Sequence, residues 1–174
     1  MKTIKRAALL CIAAAVSVSL AGCGYAFVNV KAELPPDIKK VYIPAFINLT
    51  DEPSIGFTMA SALTREVMKS GVLIPVPEEE ADAQLIGTVT SVTYYNRIYD
   101  EEDRAVLVTI NVDAGAKLVT KDGRVVWEVT DISYTDDYTI GAGSTMLDSG
   151  KEAALSLAAE KLAADFHDRL LFGY

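Results

Sequence analysis

The side chains able to act as nucleophile, metal ligand or proton carrier are few and scattered. His167 is the single histidine. It lies near the end of a predicted helix, where an imidazole reads as a surface or dipole-matched group rather than a ligand. Both cysteines, Cys11 and Cys23, fall near the start of the chain, so no thiol is placed to pair with that imidazole. The spacings H-E-x-x-H, G-x-S-x-G and the phosphate loop are absent from the sequence. Gly141-Ala142-Gly143-Ser144 lacks the third glycine of a phosphate cradle and reads as a small-residue loop. Asp136-Asp137 and Glu101-Glu102-Asp103 offer carboxylates without the alternating spacing of a built cation site, which makes them solvated turns. No catalytic residue, no metal ligand set and no diffusible cofactor is expected, and the chain does not read as an enzyme.

Recognition is the chemistry that remains. Tyr94, Tyr95, Arg97 and Tyr99 crowd one predicted hairpin tip, and tyrosine and arginine are common interface anchors. Ordinary strand packing accounts for the tyrosines equally well. Lys121 and Arg124 mark the hairpin at the opposite end, where a solubilising turn is the simpler reading. The formal charge is −8, which repels nucleic acid unless cations are gathered locally.

Cys23 has a different use. Lys2, Lys5 and Arg6 precede an uncharged apolar run, 7–19, too short to span a bilayer, which needs roughly 20 residues. Leu20-Ala21-Gly22-Cys23 follows and resembles a bacterial lipobox at all four positions. Residues 1–22 are then a signal peptide that is removed, taking Cys11 with it. Cys23 becomes the first residue of the mature chain, with lipid on its sulfur and acyl on its amine. Two or more long chains hold a protein firmly, at about 0.8 kcal/mol per buried CH₂. The resemblance to bacterial lipoproteins implies that the residue after the cysteine helps sort between membranes, and Gly24, which is not the aspartate associated with inner-membrane retention, favours the periplasmic face of the outer membrane.

The elements that must position these groups follow from periodicity. Residues 23–38 form a lipidated leader stiffened by Pro35-Pro36. A strand over 39–46 is expected, with Val41, Ile43 and Ala45 on one face and Pro44 placing it at an edge or ending it. Ser54 is the expected N-cap of a helix whose apolar stripe runs Ile55, Met59, Ala62, Leu63, Val67 before Gly71. Residues 83–95 make a strand with a bulge near Gly87 or Ser91. In the next strand Val106, Val108, Ile110, Val112, Ala114, Ala116 and Leu118 alternate with Thr109, Asn111, Asp113 and Lys117, the pattern of a sheet with one covered face. Asp122-Gly123 turns into a third strand over 125–139, whose register shifts before Ile132. Ser149 and Glu152 have capping-box spacing ahead of the stripe Leu155, Ala158, Ala159, Leu162, Phe166, Leu170. The expected fold is α+β: a two-layer sandwich in which one mostly antiparallel sheet of about four strands is backed by two helices, in the order β-α-β-β-β-α. Residues 39–174 form a single domain.

Cys23-Gly24-Tyr25-Ala26-Phe27, the stretch VYIPAFINLTDEP, the helix ending LTREVMKSGVL, then EADAQLIGTVTSV and KDGRVVWE resemble, in that order, the LptE family of lipopolysaccharide-assembly lipoproteins. The resemblance covers nearly the whole mature chain. It implies a partner, the LptD β-barrel of the outer membrane, in which such proteins sit as a plug, assist assembly and contact lipopolysaccharide. The family's lipopolysaccharide contacts, attributed to basic residues at a loop end of the sheet, map here to Arg97 and Arg104, set among four acids. Tyr99, Lys121 and Arg124 complete the candidate contacts. The stretch PAFINLT followed by the helix and ADAQLIG is also similar to periplasmic lipoproteins of the CsgG and LpoB kind, a secretion-channel subunit and an activator of peptidoglycan synthesis. The short leader and the polar face of the 105–119 strand weigh against that alternative.

Overall fold

A computed structural model describes residues 34–99, 105–139 and 144–173. Six strands and two long helices follow one another as β1 (Lys40–Tyr42), β2 (Ile47–Asn48), α1 (Ile55–Ser70), β3 (Ile74–Pro75), β4 (Ala83–Tyr99), β5 (Ala105–Thr120), β6 (Val125–Thr139) and α2 (Ser144–Phe172). They form one sheet in the order β3-β1-β4-β5-β6, with β2 also on β4. The long members are antiparallel neighbours, Val112 pairing with Val92 on one side and Tyr134 on the other. This is the expected α+β sandwich with two additions. The predicted 39–46 strand is shortened to β1, β2 forms just beyond it, and the 72–76 segment supplies β3. All three pair in parallel, β1 with β3 and β4, and β2 with β4. Two-residue strands such as β2 and β3 carry too little alternation to be read from sequence.

The break falls at Pro44. Alternation stops there, so Ala45 is exposed and Phe46 is buried, the reverse of a continuous strand. Phe46 lies across the backbone of Gly87, where any Cβ would overlap its ring. On its other side it meets Phe166 of α2, ring centroids 6.1 Å apart and tilted by 55°. Gly87 is therefore a clearance for an aromatic ring, and the bulge in β4 sits at Thr90, between Val89 and Ser91. In β6 the shift before Ile132 is present, with Ala114 facing Ile132 and Ala116 facing Val129.

Both helices bury their predicted stripes. Ile55, Met59, Leu63 and Val67 on α1 and Leu162, Phe166 and Leu170 on α2 are at most 2% exposed. Each contributes about 1.5–3 kcal/mol through burial. Gly71 ends α1 at φ 66°, a left-handed conformation that glycine adopts without strain, and its N–H donates to Val67 O. Ser54 does occupy the N-cap of α1, but its hydroxyl makes no cap hydrogen bond. The start of α2 is a correction: it begins at Ser144, which leaves Ser149 inside the helix. Thr145 to Asp148 contain no glycine or proline to stop it. No described helix is long and apolar enough to cross a membrane.

Candidate functional site

Among the described residues no element covers the face of β4–β6 turned away from the helices, and its side chains form a cross-strand polar ladder. At its upper end Arg97 is the extra residue of a register shift between Asn96 and Ile98; such a bulge re-aims a side chain. Arg97 Nε donates to Thr109 Oγ1 at 2.8 Å, and Thr109 Oγ1 donates to Asp137 Oδ1 at 2.5 Å. Alternation puts Thr109 on a solvent face, yet it is 2% exposed because these two neighbours lie over it. Further along, Thr135 Oγ1 donates to Asn111 Oδ1 at 2.7 Å and Asn111 Nδ2 to Asp113 Oδ1 at 2.9 Å. Ser133 Oγ reaches the same Asp113 Oδ1 at 2.6 Å. Sequence reading identified the β5 members of this ladder but missed Ser133 and Thr135, and it placed Asp136-Asp137 in a solvated turn where the structure has them inside β6; the spacing of two along Ser133, Thr135 and Asp137 was the available signal.

The predicted contact residues do not converge. Arg97 and Tyr99 lie at one end of the sheet, although only the backbone of Tyr99 is described, paired with Ala105. Arg104 and Cys23 lie outside the described residues. Lys121 and Arg124 sit at the far end, where Ala83 pairs with Thr120. At about 3.3 Å per residue, the two ends are roughly 45 Å apart, so no single headgroup touches both. The Lys121 end borders a shallow cavity of about 340 Å³ shared with Asp37, Ile38 and Asp82. Asp82 Oδ2 accepts the Lys39 and Lys40 N–H groups at 3.0 and 2.8 Å. Those backbone bonds, with smaller help from the charges of Lys40 and Lys121, hold its carboxyl below the usual range. Asp122 is held down chiefly by the Thr120 hydroxyl and lies 3.9 Å from Arg124 Nε. These cations therefore already face ionised acids, which suits a solubilising turn.

A second cluster lies on the helix side near the Arg97 end. Asn48 and Thr50 fold the loop after β2, with Thr50 N–H and Oγ1 both donating to Asn48 Oδ1 at 3.0 and 2.8 Å. This delivers Glu52 to Tyr94 and Lys151. Tyr94 OH donates to Glu52 Oε1 at 2.7 Å, Lys151 Nζ approaches the same oxygen at 2.6 Å, and the ammonium stands 5.2 Å from the Tyr94 ring centre. Burial raises the Glu52 pKa, but the bonds from Lys151 and Tyr94 and the Lys151 charge outweigh it, and the net shift is downward. Burial first, then the bond to Glu52, pushes the Tyr94 phenol far above its usual value. Half of the tyrosine pair thus serves packing, while Tyr95 is exposed on the open face.

His167 departs from its expected surface position. It is 8% exposed; Nδ1 lies 3.4 Å from Asp168 Oδ1, and Nε2 is buried without a hydrogen-bond partner among the described residues. Among the described residues no group of three or more histidine, cysteine or acidic side chains is placed to hold a metal ion. Asp113 and Asp137 on the open face are occupied as hydrogen-bond acceptors, an arrangement suited to meeting another polar surface.

Comparison with known proteins supplies the family. No curated protein matches the chain. Among solved structures it is similar to a single-residue variant of the PelC dodecamer from Paraburkholderia phytofirmans, at 20% identity and TM-score 0.53, covering 77% of this chain and 90% of that one. A putative lipoprotein from Caulobacter crescentus CB15 is 12% identical with TM-score 0.53, covering 73% and 88%. An uncharacterized lipoprotein B from Nitrosomonas europaea is 14% identical with TM-score 0.51, covering 80% and 86%. At such identities these relationships concern the fold alone. The model of the LptE lipopolysaccharide-assembly family matches residues 38–170, all but the first strand-flanking residues and the last turn of the folded unit. The chain belongs to the LptE family, non-enzymatic lipopolysaccharide-assembly lipoproteins that work with LptD.

Proposed function

We propose that this chain is an outer-membrane lipoprotein, anchored on the periplasmic side through lipid on Cys23, that fills an LptD-type β-barrel as its plug and assembly factor while lipopolysaccharide passes to the surface. Family membership supports the choice of partner. The observation that carries the plug role is the open face of β4–β6. Its Thr109–Asp137, Asn111–Thr135 and Asp113–Ser133 rungs form a broad hydroxyl and carboxylate surface, matched to the polar interior of an outer-membrane barrel. An apolar face there would instead favour burial against lipid or a second sheet.

Contact with lipopolysaccharide is assigned to the Arg97 end. The guanidinium spends one N–H on Thr109 and stays exposed, leaving donors in the planar fork that suits phosphate. Arg104 is the second candidate. Lys121 and Arg124 face their own acids and are assigned at most a subsidiary barrel contact. Affinity purification of the lipidated, tagged chain from detergent-solubilised outer membranes tests the reading. A stoichiometric LptD-type barrel is expected. A preparation without the barrel overturns it, and a self-assembled ring or a bound peptidoglycan synthase would replace it with the CsgG or LpoB alternative.

A further inference from the structure

We infer that the outer edge of β6 over Ile132–Thr139 is a docking strip, to which the barrel partner adds an extended basic segment as a further strand. This inference rests on the barrel reading above. β6 is the last strand of the sheet order, and no described strand pairs with its outer side. Eight successive residues, from Ile132 against Ala114 to Thr139 against Leu107, pair with β5 without a register shift. At about 3.4 Å per residue that is roughly 27 Å of regular edge. The irregularity at Thr130 and Asp131 ends the strip on one side.

The donors along this strip are identifiable. Asp137 N–H donates to Asp136 Oδ1 at 2.8 Å, a neighbouring side chain rather than a strand. Successive residues of a strand turn their N–H groups to opposite sides, so the amides of Ser133 and Thr135 project the same way, while Gly150 of α2 lies close to the carbonyl of Thr139 at the end of the strip. Unpaired edge groups of this kind template strand addition, with backbone hydrogen bonds giving affinity and alternate side chains giving selectivity.

Charge selects the occupant. Residues 132–139 contain Asp136 and Asp137 and no lysine, arginine or histidine. A second copy of the chain would set acid against acid, which is unfavourable in directly opposed strands. A segment carrying lysine or arginine meets the same acids favourably, with a salt dependence that reports the contribution.

Hydrogen exchange tests this on the lipidated chain, free in detergent and co-purified with the barrel. The amides of Ser133 and Thr135 are expected to slow by roughly tenfold or more in the complex, as edge donors become paired. Asp136→Lys, within the strip itself, is expected to lower barrel recovery several-fold while the exchange of β4 and β5 in the free chain stays unchanged. Barrel recovered with 132–139 exchanging as in the free chain overturns the inference and leaves the plug reading standing. Protection that arises instead from a dimer of this chain also overturns it. Recovery of no barrel at all removes the plug reading, and this inference with it.

Discussion

Lys151 Nζ stands 2.6 Å from Glu52 Oε1, joining the first turns of α2 to the loop that follows β2, elements far apart in sequence. Tyr94 OH donates to the same oxygen from β4. Three elements are thus fastened by one carboxylate, with the Glu52 side chain only 13% exposed.

The fastening has a pH signature. The Glu52 pKa is lowered by folding, so its contribution to stability is full above the unfolded value of about 4.3 and is lost as pH falls through the lower folded value. Chemical denaturation between neutral pH and about pH 3 should show stability falling on the acid side. Glu52→Gln should flatten that part of the profile and cost about 1–3 kcal/mol at neutral pH, because the charged oxygen shared by Lys151 and Tyr94 becomes a neutral amide oxygen. An unaltered acid limb in this variant would show that the cluster contributes nothing there.

Gly87→Ala should destabilise the fold by about 1–3 kcal/mol, since the new methyl overlaps the Phe46 ring. Phe46→Leu introduced into the same background should recover part of that loss, although it costs stability in the native background. Urea midpoints of the four proteins close a double-mutant cycle. Strict additivity would contradict the close approach.

Arg97→Glu combined with Arg104→Glu should reduce recovery of barrel or lipopolysaccharide while leaving the thermal midpoint within a few degrees of the parent. Arg97 is exposed, and its bond to Thr109 is worth about 1 kcal/mol. Unchanged recovery would remove this end of the sheet from the binding surface. Lys121→Glu with Arg124→Glu serves as the distant comparison and should have the smaller effect.

Cys23→Ala should move the protein from the membrane pellet to the soluble fraction, because the chain would lose its acyl chains along with the thiol that bears them. A washed mutant that stays with the membrane would contradict lipid anchoring.

The antiparallel core was legible because its signal is long. Val108 to Leu118 alternate over a strand of sixteen residues, and the stripes of α1 and α2 recur over four or more turns. β1 was legible as part of the expected 39–46 strand, whereas β2 and β3 were not, because two residues cannot display a period. The candidate site divides along the same line. Arg97, Asn111 and Asp113 stood out by residue type, whereas their bonds to Thr109, Thr135 and Ser133 depend on register across strands. The Glu52 cluster was missed altogether, since its members are joined only after the chain has folded back twice.

The unequal lengths of the sheet neighbours bear on how the molecule assembles itself. β4, β5 and β6 follow one another in sequence, and β5 meets β6 through a turn as tight as the Thr120 N–H to Arg124 O bond of 3.0 Å. By contrast, Lys40 meets Asp82 across a separation of 42 residues. Local contacts form with less loop-closure entropy and so precede distant ones. We expect the transition state for folding to hold a formed β5–β6 hairpin and an unformed β1 flank. Conservative truncations at Val112 would then slow folding, while truncations at Val41 would speed unfolding, and stopped-flow φ-values with the reverse order would refute that sequence of events. A chain arriving by this route presents the β6 edge early and completes its parallel flank last.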